Sequence, residues 1–321
     1  MNSVRPNSRT SREAAVDIRQ LRYAVRIGET GHLRKAAEAE FIAPSAMSLH
    51  VRRLEEELGV ELFTRTPAGV TPTLAGQHFI TEAATLLSDL DALGQGTRAV
   101  GSRRRELVIG FFGGAVNELT HTIFDGFVTG LPDHDLRFVE LSLAEQFDGI
   151  LHAEVDVALM CLPVDDERLS VVPLFDEPRF VAVSQRSALA DADELTCADI
   201  LDEEYAVPVT RVPGWWSSYW ALDDVRGEPG RVGARVATVA EALAAVAYSR
   251  SVDTVPASTS RRFSSPGVTY RPLRDGGMTT TGLVSRAKNN DAVLARLSQI
   301  ASTVVAEMIG AVPDARVAAA A

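Results

Sequence analysis

Cysteine is nearly missing from this chain of 321 residues: only Cys161 and Cys197 occur. Two thiols cannot build a disulfide framework, and such scarcity fits a reducing, cytoplasmic setting. Lysine is as rare, with Lys35 and Lys288 alone, so nearly all positive charge is guanidinium. No run of about 18 apolar residues is found, so no membrane-spanning segment is expected. The opening MNSVRPNSRTSREAAVDIRQ is polar and basic and lacks an apolar centre. That excludes a secretory signal and predicts a disordered lead-in over residues 1–16. The six histidines show no metal-ligand spacing, and no HExxH, CxxC or phosphate-binding loop is present. No nucleophile, base and acid group into a catalytic set. These absences argue against a membrane protein, a disulfide-stapled secreted domain and an enzyme. They leave no metal and no cofactor to expect.

What is there is a chain with 46% hydrophobic residues, enough for two or three domains with well-buried cores. The net charge of −11 is unevenly spread. Residues 1–105 carry 15 Lys+Arg against 12 Asp+Glu, whereas residues 106–321 carry 17 against 31. A mildly basic head on a strongly acidic body steers one end towards a polyanion.

In Asp17-Ile18-Arg19-Gln20, Asp17 is an N-cap and Gln20 completes a capping box. Ile18, Leu21 and Val25 then share one helical face, and Gly28 and Gly31 bracket its end. His32-Leu33-Arg34-Lys35-Ala36-Ala37-Glu38-Ala39-Glu40 predicts a short second helix with a small, closely packing side. Pro44 opens a third helix at its first position and Gly59 closes it. On that helix Met47, Val51, Leu54 and Leu58 share one face, and Ser45, Ser48, Leu49 and Arg52 share the opposite one. Three short helices with a tight second connection form a helix-turn-helix pattern. Two short strands around Pro67-Ala68 then predict a β-wing. Thr73 caps a long helix from about Leu74 to Val100. Its stripe of Leu74, Ile80, Leu86, Leu87, Leu90 and Leu93 predicts either a dimerising coiled coil or packing on its own chain. Gly101-Ser102-Arg103-Arg104-Arg105 reads as a hinge.

From Glu106 onwards apolar strands alternate with helices: Leu107–Phe112, then Gly113-Gly114 and a helix to about Gly130, then Leu136–Leu141 and Val155–Met160. This predicts a mostly parallel sheet covered on both faces. Arg179–Val183 and Tyr205–Val209 begin a second group, with Thr238 capping a helix Val239–Ser249. The chain returns to the first group near Thr279–Val284. Two α/β lobes with a crossover leave a cleft between them.

Several of these segments resemble those of a known family. Arg19-Gln20-Leu21-Arg22-Tyr23, Lys35-Ala36-Ala37-Glu38, Ser45-Ala46-Met47-Ser48, Arg52–Val60, Leu62-Phe63-Thr64-Arg65 and Thr71–Gly76 are similar to LysR-type transcriptional regulators. The match is dense over residues 17–78. Beyond it the likeness is one of architecture, including Thr238–Ser249 followed by Val252–Ser258. The resemblance implies an α/β protein with an N-terminal winged helix-turn-helix domain, a long linker helix and a two-lobed periplasmic-binding-protein-like α/β effector domain. Its expected boundaries are 17–74 for the DNA-binding domain, 75–105 for the linker helix and hinge, and 106–321 for the effector domain. Lobe I covers about 106–178 and 280–310, and lobe II about 179–279. The implied function is sequence-specific, ligand-responsive regulation by a homodimer or tetramer on double-stranded DNA, with no enzymatic activity and no membrane partner. A solute-binding receptor or enzyme on the same two-lobed fold, or a regulator without a ligand, is the alternative.

With that resemblance in place, Pro44, Ser45, Ser48, Leu49 and Arg52 are the expected base and phosphate contacts of the recognition helix. Arg34 and Arg65 are expected phosphate or minor-groove contacts. Arg53 is expected to pair with Glu56 or Glu57. The chain departs from the family at Glu40, where a leucine is usual and where Phe41 is expected to pack inward instead. Ala43 replaces the usual capping serine, and Leu49 a longer polar residue. In the cleft, Gly113 and Gly114 at a helix N-terminus, with Ala115, offer backbone N–H groups to a carboxylate, or form a plain tight turn. Thr210, Arg211, Asp253 and Thr254 are further candidate contacts to a small-molecule effector, expected to be an organic acid. Trp215, Trp216 and Trp220 stack on a ring or belong to core or interface. Cys161 and Cys197 lack basic neighbours, so structural roles are expected for both.

Overall fold

A computed structural model describes residues 16–66, 69–101, 105–143, 145–209, 212–287 and 291–319. The lead-in, apart from Val16, and most of the expected hinge lie outside these residues. The chain divides into two compact units between Gly94 and Gln95.

In the first unit, α1 (Ile18–Thr30) starts on the capping box that its sequence predicts. Asp17 accepts from Arg19 N at 3.1 Å, and Gln20 Oε1 accepts from Asp17 N at 2.7 Å. Gly31, at φ 64°, closes the helix. α2 (Leu33–Ala39) and α3 (Pro44–Leu58) follow, and Gly59 at φ 71° ends α3. Ile27, Ala36, Ala37, Met47 and Val51 make one buried cluster of this unit. β1 (Phe63–Thr66) and β2 (Gly69–Pro72) pair antiparallel as the wing. Glu55 ties the wing to α3, its Oε1 accepting from Leu62 N at 2.8 Å and Phe63 N at 3.1 Å. α4 (Leu74–Gly101) is capped by Thr73, whose Oγ1 accepts from Gly76 N at 3.0 Å. Gly76 is required by packing, since a Cβ there would stand 1.9 Å from Leu62 O. The apolar stripe of α4 has two fates. Ile80 and Leu87 are half-buried, with Phe79 and Ala83 beside them turned inward, whereas Leu74, Leu86, Leu90 and Leu93 are exposed.

The turn between α2 and α3 corrects the sequence reading. Phe41 does not pack inward: it is 94% exposed at φ 55°. Glu40 turns in instead, because Arg26 Nε donates to its Oε1 at 3.1 Å and removes the cost of its charge. Ile42 supplies the apolar contact to the core.

The second unit begins with β3 (Arg105–Phe112), α5 (Thr120–Gly130), β4 (His134–Leu141), α6 (Asp148–Leu151) and β5 (Val157–Cys161). The long β6 (Leu169–Ser184) leads to α7 (Cys197–Ile200), β7 (Glu204–Pro208), α8 (Gly214–Trp220) and α9 (Asp223–Arg226). Next come β8 (Arg231–Val236), α10 (Val239–Ser249), β9 (Asp253–Pro256), α11 (Ala257–Arg262) and β10 (Val268–Pro272). β11 (Met278–Arg286), α12 (Ala292–Met308) and β12 (Arg316–Val317) complete it. Sheet order is β10-β6-β11-β5-β3-β4. Among the described residues of this sheet β4-β3-β5 is parallel, and β11 pairs antiparallel with both β5 and β6; β7 and β8 pair parallel in a separate two-stranded sheet. The three strands expected to be parallel are so; the antiparallel part of the sheet is added by β6 and the returning strand β11. β6 pairs with β11 up to Pro178 and with β9 from Arg179, so one strand serves two lobes. Thr238 caps α10, accepting from Glu241 N at 3.2 Å.

Residues 292–311, mostly α12, reach a mean hydropathy of 1.4 over a length that would cross a membrane, a stretch the sequence reading passed over. Leu294, Leu297, Ala301 and Val305 sit buried in the lobe core, so this apolar character serves packing against α5.

Candidate nucleic-acid interface and interlobe cleft

α3 has two chemically separate faces. Met47, Val51 and Leu54 are buried, whereas Pro44, Ser45, Leu49 and Arg52 are exposed and Ser48 is half-buried. Ala43 gives no side-chain cap, but its carbonyl accepts from Ala46 N at 2.9 Å and Met47 N at 3.2 Å, and Pro44 brings no N–H to satisfy. Arg52 Nε donates to Glu56 Oε1 at 3.1 Å, and Arg34 Nε to Glu38 Oε1 at 3.0 Å. Arg52, not Arg53, therefore takes Glu56. Glu57 reaches back to Gln20, whose Nε2 donates to it at 3.4 Å. Exposed pairs four residues apart are worth about 0.3–0.5 kcal/mol and yield easily to phosphate. Arg65 sits on β1 in register with Val70; its side chain lies outside what is described.

In the second unit a cleft lies between the lobes. Gly114, Asp253 and Thr254 line it, joined by Phe112, Trp216 and Trp220. Gly113 and Ala115 are buried beside it rather than on its wall. The glycines do not start the helix: they form a 3-10 turn at 113–115, and α5 begins only at Thr120. Asn117 intervenes, its Oδ1 accepting from Leu119 N at 2.9 Å. Thr210 and Arg211 lie outside the described residues. Thr254 Oγ1 donates to Trp220 O, which locks β9 to α8.

The tryptophans prove to be core and wall at once. Trp216 Nε1 donates to Cys161 O at 3.2 Å, and its ring meets Phe112 edge-on at 6.1 Å. Trp215 packs on Phe147 at 5.1 Å. The sequence reading missed Phe112, Leu143 and Thr259 as wall residues. Nothing local marks them, since each is set by contacts distant in the chain.

Arg261 of α11 holds Glu118, which precedes α5, through Nε at 2.6 Å and Nη2 at 3.3 Å. Beneath it Glu177 is fully buried at the strand switch. Burial raises its acid, although Ser258 N and Oγ donate to it at 2.6 and 2.8 Å. Asp253 is pushed up to about 7 by burial. Both thiols are raised by burial, Cys197 to about 11 with the Asp275 carboxylate beside it. Neither is therefore a reactive thiolate near neutral pH.

A winged helix-turn-helix unit followed by a two-lobed α/β unit with a cleft defines a DNA-binding regulator with an effector-binding domain. Residues 18–77 match the bacterial regulatory helix-turn-helix protein, lysR family, and residues 101–305 match the LysR substrate binding domain. The chain belongs to the LysR family of transcriptional regulators. It is 29% identical over 280 residues to the probable cat1 operon transcriptional activator of Acinetobacter lwoffii, covering 86% of this chain and 91% of that protein. It is 27% identical over 264 residues to the regulator BenM of Acinetobacter baylyi, covering 81% and 86%. The crystal structure of full-length BenM matches with a TM-score of 0.53 at 25% identity, over 93% of this chain and 99% of that one. Full-length CbnR complexed with its target DNA matches in fold, with a TM-score of 0.54 at 21% identity, over 90% and 99%.

Proposed function

We propose that this LysR-type regulator reads its operator with the exposed face of α3 and answers to a small molecule in the cleft between β3, α8, α10 and β9. The observation that carries the first half is the two-sided α3, with Ser45, Ser48, Leu49 and Arg52 opposite a sealed Met47–Val51–Leu54 face. Pro44, Ser45 and Ser48 meet base edges or phosphate, Leu49 meets a thymine methyl, and Arg52 meets guanine or phosphate. Arg34 and Arg65 grip the backbone on either side.

The DNA-binding domain is assigned to residues 17–74, the linker to 75–105 and the effector domain to 106–321, with lobe I at about 106–178 and 280–310 and lobe II at about 179–279. The strand switch at Pro178 and Arg179 supports that lobe boundary. The exposed Leu86, Leu90 and Leu93 support self-association through α4. Effector binding then changes the lobe geometry and with it the spacing of paired heads on their half-sites. Asp253 and Thr254 contact the effector from β9 and Gly114 from the turn; the sequence adds Thr210 and Arg211 as candidate contacts. The protein works in the cytoplasm and catalyses no reaction.

A gel shift of the full chain on its own upstream DNA, at a fixed physiological salt concentration, tests this reading. A shifted band that a scrambled duplex of equal length fails to compete away is expected. Equal competition by both duplexes would remove sequence-specific binding.

A further inference from the structure

The polar supply of the cleft is one-sided. Asp253 stands on its wall at the start of β9, and no Arg, Lys or His is among the described lining residues. The Asp253 carboxyl takes part in no hydrogen bond or ion pair with a described residue; burial alone sets its acidity. Two more polar atoms on the same wall lack partners. Trp220 Nε1 and Thr259 Oγ1 are buried without a hydrogen bond. Their residues line the cavity and are only 8% and 1% exposed. Trp216 differs, because its Nε1 is already engaged by Cys161 O.

The buried Trp220 Nε1 and Thr259 Oγ1, and the half-buried Asp253 carboxyl, are unfavourable until a partner reaches them. The rest of the wall is apolar and aromatic, with Phe112, Leu143, Trp216 and Val239. The complement is a ring or short chain carrying a cationic donor for Asp253 and an acceptor for Trp220 Nε1 or Thr259 Oγ1. We infer that the cleft takes a small amine: an apolar, ring-bearing body with its protonated nitrogen against Asp253. The inference rests on the effector-cleft reading above and reverses the charge expected from sequence. An organic acid would meet Asp253 as a like charge, with no described wall cation to offset it. The cavity holds about 60 Å³, room for a few waters. The lobes therefore part to admit the amine and close on it.

The full-length protein is titrated with benzylamine, 2-phenylethylamine and tryptamine, and with benzoate, 3-phenylpropanoate and indole-3-propanoate. Trp fluorescence and thermal shift are read at mildly alkaline pH. At least one amine saturates and raises the melting temperature, while its matched acid does not. Asp253→Asn weakens that amine by roughly tenfold or more, the loss of a charge-assisted contact. Val239→Trp, which fills the cavity, abolishes the response; where it does not fold by circular dichroism, Ala242→Leu replaces it. Acids that bind in place of amines would overturn the inference, as would silence from every amine or amine binding untouched by Asp253→Asn. Acid binding lost in the cleft-filling variant would leave the effector cleft standing and remove only the amine. Any response that survives the filling would remove the cleft itself.

Discussion

The DNA-facing helix and the cleft hold their charges in opposite settings. Arg52 is 78% exposed and is tied to Glu56 on its own helix. Asp253 is set into an apolar wall with no partner among the described residues. An exposed guanidinium is easy to maintain, is screened by salt and is available to any phosphate. A half-buried lone carboxylate weakens the empty protein and is relieved by protonation or by a ligand of matching charge. The first arrangement suits a surface that must engage a long polyanion. The second suits a sensor that must reject most small molecules.

That contrast breaks most visibly on α3. The double substitution Arg52→Ala, Ser48→Ala should lower operator affinity by roughly 30- to 1,000-fold. Fluorescence anisotropy across a salt series should also show the slope of log K against log salt falling by about one. Unchanged binding would remove these residues from the interface.

The next effect is in the cleft and depends on pH. The Asp253 acid lies at about 7 in the folded chain, against about 3.9 when unfolded. The folded state therefore holds this proton more tightly, and its contribution is complete below the unfolded value. It is lost as pH rises from about 4 to about 7. Asp253→Asn should stabilise the ligand-free protein by on the order of 2–4 kcal/mol at alkaline pH, with the gain vanishing near pH 4. Tyr270, itself raised to about 12 by burial and then by the nearby Asp253, stays neutral throughout. Urea denaturation at several pH values measures the gain, and a flat profile would mean that the carboxyl is solvated.

Phe41 sharpens the comparison from a third side. An exposed aromatic at φ 55° has neither packing nor an easy backbone. Phe41→Gly should stabilise the first unit by about 1 kcal/mol in thermal unfolding. The smallest effect belongs to Glu56→Gln. Freeing Arg52 should change stability by no more than about 0.5 kcal/mol and raise low-salt operator affinity about twofold.

The helical frame was legible wherever the chemistry is local. Asp17 with Gln20, Pro44 with Gly59, Thr73 and Thr238 all cap what their neighbours in sequence say they cap. The two faces of α3 were equally readable, because a 3.6-residue period sorts them. Features set by distant contacts were not. β11 runs antiparallel because of where the second lobe ends. Glu40 turns inward because Arg26, on another helix, is there to meet it. The 3-10 turn at Gly113 looked like the start of a helix that Asn117 in fact delays. In the cleft, Asp253 and Thr254 were picked out. The unpartnered Trp220 Nε1 and Thr259 Oγ1 emerge only when the lobes are folded around them.

Genome-wide DNA occupancy of the native chain, compared with the Arg52→Ala, Ser48→Ala chain, tests the regulatory reading most directly. Discrete sites sharing a two-fold symmetric motif, lost in the double variant and redistributed when the cleft ligand is supplied, are the predicted result. Occupancy without discrete sites, or the same sites in both chains, would contradict it.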